Sequence, residues 1–299
     1  METVGAETTC YRHPKRETYV RCSRCDRFIC SDCMREAPVG QRCPECVKGE
    51  NKTVRQARTI FGARAGVATA YVTYTIIAIN VLAYVVELVH PAVINRFDVL
   101  GIGLIGGDGR YYVDDGVPVA GYELIGVLHG EWWRLFTGAF LHELPGGNGT
   151  GLTHILFNMM WIATLGTFLE RQLGWGRYLA LYLLSALGGS VFIVLIDPHQ
   201  GAIGASGAGF GLAAAYFVIT RKLHEYPIDR NRLIFTALLW LVFAAGFTSW
   251  QGHLGGLVTG AAVAAGLAYA PRQRRETVQV AALIVVAVVL IAAIAAKAM

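Results

Sequence analysis

The sequence predicts an all-α membrane protein of seven transmembrane helices preceded by a small cysteine-rich module. Three observations predict it. The 299 residues are 54% hydrophobic and only 16% charged, with a mean hydropathy of +0.45. That is too apolar for an ordinary soluble chain of this size. All seven cysteines lie within the first 46 residues, and none lies in the apolar remainder. The remainder breaks into stretches near the roughly 20 helical residues that a bilayer core requires.

Residues 1–49 form the polar module. Its metal-ligand types come in four pairs, Cys10-x2-His13, Cys22-x2-Cys25, Cys30-x2-Cys33 and Cys43-x2-Cys46. Eight ligands make two tetrahedral zinc sites with no open position, the structural rather than catalytic arrangement. A secreted disulfide scaffold does not fit, because the cysteines are odd in number and spaced like metal ligands. A cytoplasm keeps such thiols reduced. So short a module cannot bury enough apolar surface to fold unaided, so zinc supplies the folding energy. The order of the pairs resembles the B-box family of zinc fingers, although Cys43 and Cys46 stand where that family usually closes with histidines. The resemblance implies a cross-brace, with the first and third pairs sharing one zinc and the second and fourth pairs the other. With no ligand vacancy for catalysis, the module is expected to bind a cytoplasmic protein partner.

Residues 50–65 read as a basic linker. Seven spans follow, near Gly66–Val86, Thr153–Leu169, Tyr178–Ile196, Gly204–Thr220, Leu233–Trp250, Gly252–Ala270 and Val280–Ala296. Lys48, Lys52, Arg55, Arg58 and Arg64 precede the first span. Arg171 and Arg177 follow the second, Arg221, Lys222, Arg230 and Arg232 the fourth, and Arg272, Arg274 and Arg275 the sixth. The alternate short loops carry no Lys or Arg. The positive-inside rule therefore puts the N-terminus in the cytoplasm and, after seven crossings, the C-terminus outside. The net charge of +5 sits at span ends, which argues for membrane topology and against nucleic-acid binding. The opening METVGAETTC does not read as a cleavable signal peptide.

Polar residues inside spans are costly and point to function. Ser206 lies in Gly204-Ala-Ser-Gly207 at the start of the fourth span, and His253 in Gly252-His-Leu-Gly-Gly256 at the start of the sixth. His154 and Asn158, in HILFN, open the second on one helical face. By the topology above, all three spans begin at the outer face, so these groups share one depth. Gly207 with Gly211, and Gly256 with Gly260, form small-residue stripes that let helix backbones approach. Singly, each feature has an ordinary explanation: helix packing for the glycines, a bond to its own backbone for the serine, a satisfied core position for the histidine. Their joint occurrence at one depth is what points to chemistry.

GASG, GHLGG and HILFN, with Trp133-Arg134 before them and Glu170-x3-Gly174 after, resemble the rhomboid family of intramembrane serine proteases over roughly residues 66–270. Residues 271–299 look like the extra C-terminal transmembrane helix that some members add to the six-helix core. The resemblance implies Ser206 as nucleophile and His253 as general base. It implies His154, Asn158 and the Ser206 N–H as oxyanion donors, and a structural role for Trp133 and Arg134 in a membrane-embedded hairpin of the first loop. No metal or other cofactor is implied for catalysis. The substrates would be transmembrane proteins cut near the outer face, in a multi-pass protein of the bacterial plasma membrane.

The chemistry is consistent with that resemblance. A hydroxyl becomes a good nucleophile when a neighbouring base takes its proton. No acidic residue lies in the fourth or sixth span to orient the histidine, and Phe210, one turn after Ser206, is placed to hold the ring by packing. Where members of the family often carry tyrosine, this chain has phenylalanine. The flexible stretch Pro145–Gly151 is an insertion between His142 and His154. Competing intramembrane chemistries fail on pattern. His142-Glu143 and His224-Glu225 are not followed by the second histidine of a zinc protease helix, and paired aspartates within spans are missing. A non-catalytic rhomboid-like chaperone or substrate receptor is the alternative, although such relatives typically lose Ser or His. A transporter would call for acidic residues within the spans.

Overall fold

The computed structural model describes residues 8–53, 57–66, 69–107, 109–112, 120–146, 151–224, 229, 231, 235 and 249–299. The chain is mostly helical and divides into two compact units, Met1–Ala57 and Arg58–Met299.

In the first unit, β1 (Thr9–Cys10) pairs antiparallel with β2 (His13–Glu17), and β3 (Arg35–Glu36) with β4 (Gln41–Arg42). Helix α1 (Pro44–Thr53) follows, with proline at its first position, where a missing N–H costs nothing. The core is Ile29 surrounded by Cys10, Cys22, Cys30, Cys33 and Cys43. One isoleucine and a shell of thiols is too little apolar surface to hold these short strands.

The second unit begins with a turn, Arg58–Arg64. Phe61 is buried, and Thr59 Oγ1 donates to the Gln172 carbonyl at 2.8 Å. Helix α2 (Tyr71–Val89) starts later and ends later than the sequence pattern placed it. Gly66, at φ +81°, sits in a conformation that cannot open a helix. The later end brings Glu87 inside a span, fully buried, where the sequence reading saw no acidic residue. The start of α2 is capped from afar. The Glu170 carboxylate accepts the Val72 and Thr73 N–H groups at 3.0 and 2.8 Å, negative charge at the positive end of a helix.

The segment between the first two spans is not a plain loop, and it corrects the all-α expectation. It holds α3 (Ala92–Phe97) and an antiparallel sheet in the order β6-β5-β7, with β5 Gly103–Gly106, β6 Tyr111–Tyr112 and β7 Tyr122–Ile125. So long a segment must satisfy its own backbone groups, and strand pairing does so. The short α4 (Arg134–Thr137) follows. Arg134 is 1% exposed and ties the segment together. It pairs with Asp98 and with Glu131 (2.6 Å), and donates to the Asn95 and Asp98 carbonyls at 3.1 and 3.2 Å.

Helix α5 (Gly151–Trp161) continues through one π turn (Ile162–Gly166) into α6 (Thr167–Leu173). Then come α7 (Trp175–Ile196), α8 (Ser206–Leu223), α9 (Trp250–Ala268) and α10 (Arg275–Ala298). Most of the expected span Leu233–Trp250 and most of the Pro145–Gly151 insertion lie outside the described residues. Among the described residues, four helices are long and apolar enough to cross a membrane: Tyr71–Val89, Gly151–Leu173, Trp175–Ile196 and Arg272–Ala298. Helices α8 and α9 carry the glycines, Gln251 and His253 and are less apolar. Much of each is buried, so protein replaces lipid around them.

Glycines set how α7, α8 and α9 meet. A methyl group on Gly256 would collide with the Gly207 carbonyl oxygen, and one on Gly260 with the Gly211 backbone. On the other side, a methyl on Gly189 would lie 2.9 Å from the Gly252 carbonyl oxygen. The three backbones are in contact, which only glycine permits. This contact fixes the register of α8 against α9, and with it the position of Ser206 against His253.

Candidate active site and metal centres

Ser206 is the first residue of α8, so its N–H points from the positive end of that helix. Its Oγ lies 2.8 Å from His253 Nε2 on α9. The other ring nitrogen of His253, Nδ1, is buried and has no hydrogen-bond partner among the described residues. The imidazole is held by a ring instead: Phe210 stacks on it with centroids 4.4 Å apart and planes at 19°. Trp161, on α5, backs Phe210 at 5.9 Å.

The approach to Ser206 is built from Gly204 and α5. Gly204, at φ +128°, precedes the helix in a conformation that L side chains avoid. A methyl there would also lie 2.9 Å from His154 Nε2 and 3.6 Å from Ser206 Oγ. His154 therefore reaches the same spot as the serine hydroxyl. Its Nδ1 accepts the Glu143 N–H at 3.1 Å, so ring orientation is set by the chain before α5. Asn158, one turn on, is buried and donates one amide N–H to the His154 carbonyl at 2.9 Å. A cleft of about 30 Å3, lined by Gly138, Ser190, Gly204, Ser206, Ser249 and His253, has room for one or two waters.

Behind His154 lies a buried polar group that the sequence did not reveal. The His142 ring meets that of His154 at 5.1 Å, edge to face, and its Nε2 is 3.0 Å from Asn80 Oδ1. Its backbone N–H donates to Glu87 at 2.9 Å. The visible signal was a histidine in the apolar stretch FLHEL, but its partners come from α2, more than fifty residues earlier.

A rhomboid domain model matches residues 129–270. The putative rhomboid protease YdcA of Bacillus subtilis is 37% identical over 147 residues, covering 48% of this chain and 70% of that protein. The chain belongs to the rhomboid family. Rhomboid protease GluP of Bacillus subtilis is 35% identical over 145 residues, 47% of this chain and 27% of GluP. Rhomboid protease GlpG of Salmonella newport is 35% identical over 147 residues, 46% of this chain and 49% of GlpG. The chain thus spans about a quarter of GluP and about half of GlpG. The rhomboid match begins at residue 129 and leaves the cysteine-rich unit outside it.

In that unit the pairs interleave. Cys10, His13, Cys30 and Cys33 form one group, and Cys22, Cys25, Cys43 and Cys46 the other, the ligand atoms of each within 4.8 Å of one another. A tetrahedral zinc with Zn–S of about 2.3 Å requires sulfur–sulfur edges of about 3.8 Å and slightly shorter sulfur–nitrogen edges. Cys25 and Cys43 Sγ are 3.7 Å apart. His13 Nδ1 lies 3.8, 3.2 and 3.5 Å from the sulfurs of Cys10, Cys30 and Cys33. Both groups have the donor set and spacing to hold a metal ion. Burial pushes the Cys10 and Cys22 thiols up, but backbone N–H donors outweigh it and bring each down to about 6. The Cys43 N–H, 3.3 Å from Cys22 Sγ, is one such donor. Thiolate, the form that binds metal, is thus favoured at Cys10 and at Cys22, one residue in each group, whereas burial and the neighbouring cysteines push the Cys33 thiol up to about 11 and the Cys46 thiol up to about 12.

Proposed function

We propose that this rhomboid is an intramembrane serine endopeptidase, and the observation that carries it is the 2.8 Å approach of Ser206 Oγ to the buried His253 Nε2 at a small cleft. His253 takes the hydroxyl proton at Nε2 as Oγ bonds to the scissile carbonyl carbon. The carbonyl oxygen becomes an oxyanion, met by the Ser206 N–H, His154 Nε2 and the Asn158 amide. The intermediate collapses, His253 returns the proton to the departing amine, and an acyl ester remains on Ser206. Water from the cleft then gives its proton to His253 and attacks the ester, and Ser206 leaves with that proton.

The seven-span reading, with the N-terminus cytoplasmic, places this site a short way below the outer face of a bacterial plasma membrane. Substrates are transmembrane proteins cut near that face. The functional blocks are the zinc module at 1–49, the basic segment 50–65, the protease core at 66–270 and the last helix at 271–299. Zinc, bound by the two interleaved ligand groups, stabilises the module's fold and takes no part in the cleavage steps.

Ser206→Ala should bring cleavage of a transmembrane substrate to background and abolish labelling by a fluorophosphonate. Both should occur with helicity unchanged, because residues acting as one unit lose their effect together. Turnover persisting in purified Ser206→Ala protein would remove the serine from the mechanism.

A further inference from the structure

At the end of α8 and α9 remote from Ser206, about 27 Å away for an 18-residue helix, three guanidinium groups gather on one turn. The turn is Arg58–Arg64, and it is built rigidly. Phe61 is buried, and Gln279 Nε2 donates to its carbonyl at 3.2 Å. Thr59 Oγ1 binds the Gln172 carbonyl and accepts the Ala63 N–H at 3.1 Å. Gly62, at φ +96°, keeps the turn bare of side chain. A methyl at Gly62 would lie 3.3 Å from Arg177 Nη2 and 3.6 Å from Arg275 Nη1, so both guanidiniums converge above it. Arg177 is fixed there by Gln279 Oε1 at 2.6 Å. Charged side chains that act on Arg177 include Glu276, Arg275 and Arg58. Glu276 pairs with Arg58 at 3.5 Å and is largely exposed. Within these four side chains, three positive charges face one negative.

We propose that this cluster binds the phosphate headgroup of an anionic membrane lipid. The surroundings select a lipid over a free anion. Ile60 at the turn, Trp175 at the start of α7 and Tyr269 at the end of α9 are all exposed large side chains at this end of the bundle. Lys222 lies over the Tyr269 ring at 5.1 Å. Exposed aromatics beside basic residues at helix ends mark the headgroup level of a bilayer. A phosphodiester seated on Arg58, Arg177 and Arg275 would leave its acyl chains along the apolar exposed face of α10, which carries Val280, Ile284 and Val288. Basic pockets between helices at a membrane surface have the chemistry for such headgroups. The site lies wholly in the second unit and does not depend on the proposed protease chemistry.

The full chain, purified in neutral detergent, is titrated with phosphatidylglycerol or phosphatidylcholine, and retained lipid is read by native mass spectrometry. Phosphatidylglycerol should be retained preferentially. Each basic residue near anionic lipid contributes about fivefold, so Arg58→Gln with Arg275→Gln should weaken that retention roughly 25-fold. Arg221→Gln with Lys222→Gln, at the same end but outside the cluster, should leave the preference largely in place. Equal retention of the two lipids, an unchanged preference in the first double variant, or equal losses in both variants would each overturn the site. Displacement of phosphatidylglycerol by an equal concentration of inorganic phosphate would overturn its assignment to a lipid. Cleavage in phosphatidylcholine bicelles, followed in parallel, reports on the protease reading separately.

Discussion

The two units of this rhomboid hold themselves together by opposite means. The first has one isoleucine in a shell of thiols, and its order rests on bringing eight ligand atoms into two groups. Its ion pairs, such as Arg27 with Glu45 and Arg24 with Glu50, lie at the surface and contribute little. The second has a continuous core of leucine, isoleucine, tyrosine and alanine, and its central helices meet through glycine with their backbones touching. Depriving the first unit's two ligand groups of metal should remove its fold. Removing the second unit's fold takes a side chain where there is none. The candidate active site belongs to the second regime, because Ser206 and His253 are placed by helix register.

The largest contrast comes from a chelator. Stripping metal from the full-length protein should release about two zinc ions, four ligands to each, and collapse the first unit. Cleavage by a shortened chain beginning at Ala57 should be unchanged by the same treatment. Acid should mimic the chelator, because protons compete with zinc for the thiolates; zinc is held at neutral pH and lost as pH falls. Metal content and cleavage, followed together on both chains, check this. Cleavage by the shortened chain that stops on chelation would force a metal-dependent mechanism.

The reciprocal experiment is Gly256→Ala. The added methyl meets the Gly207 carbonyl oxygen, which is backbone and cannot step aside. The expected cost is about 3 kcal/mol or more, read as a lower unfolding midpoint in detergent with the zinc content intact. An unchanged midpoint would mean that α8 and α9 can part freely, and the register account of the site would fail.

The same contrast governs what could be read from the chain. The two candidate metal-ligand groups were legible because each pair is local, two residues apart, and the donor set that a tetrahedral metal takes is fixed. Ser206, His253, His154 and Asn158 were legible as candidates because each sits in a short motif on a helix. What escaped was set by partners far along the chain. Arg134 had a visible motif, but its burial with Asp98 and Glu131 needed the fold of the segment between the spans. Glu87 fell one residue beyond the expected span end, and its bond to the His142 N–H joins residues 55 apart. The π turn at Ile162–Gly166 left no mark in the hydrophobic pattern. It lies where Gly166 packs on Tyr178 and Thr73.

A smaller effect should come from Asn158→Ala. Losing one oxyanion donor costs about 10²–10³ in rate. Because Asn158 already donates one N–H to the His154 carbonyl, the variant also tests whether the amide acts directly or by holding α5. A loss confined to kcat, with KM and the unfolding midpoint unchanged, assigns it to the oxyanion. A fall in the midpoint with little change in kcat assigns it to the helix.

The smallest expected effect is at Phe210, and it separates this site from a serine triad. In a triad, a carboxylate on the far ring nitrogen fixes the tautomer and orientation of the histidine. Here His253 Nδ1 meets no such group among the described residues, and the orienting contact is the stacked Phe210 ring, backed by Trp161. Ring contacts of this kind are worth about 0.5–1.5 kcal/mol beyond buried area. Phe210→Leu keeps the volume apolar and removes the ring, so kcat should fall by about 2- to 12-fold, the same energy expressed as a rate. Phe210→Tyr keeps the ring and should retain most of the rate. A triad aspartate exchanged for its amide costs about 10⁴, and the difference in scale is the point. Stacking constrains where the imidazole sits without a hydrogen bond to Nδ1. If Phe210→Leu lost 10³ or more with the fold intact, the ring would be doing the work of a carboxylate, and a hydrogen-bonding group on Nδ1 would have to be sought.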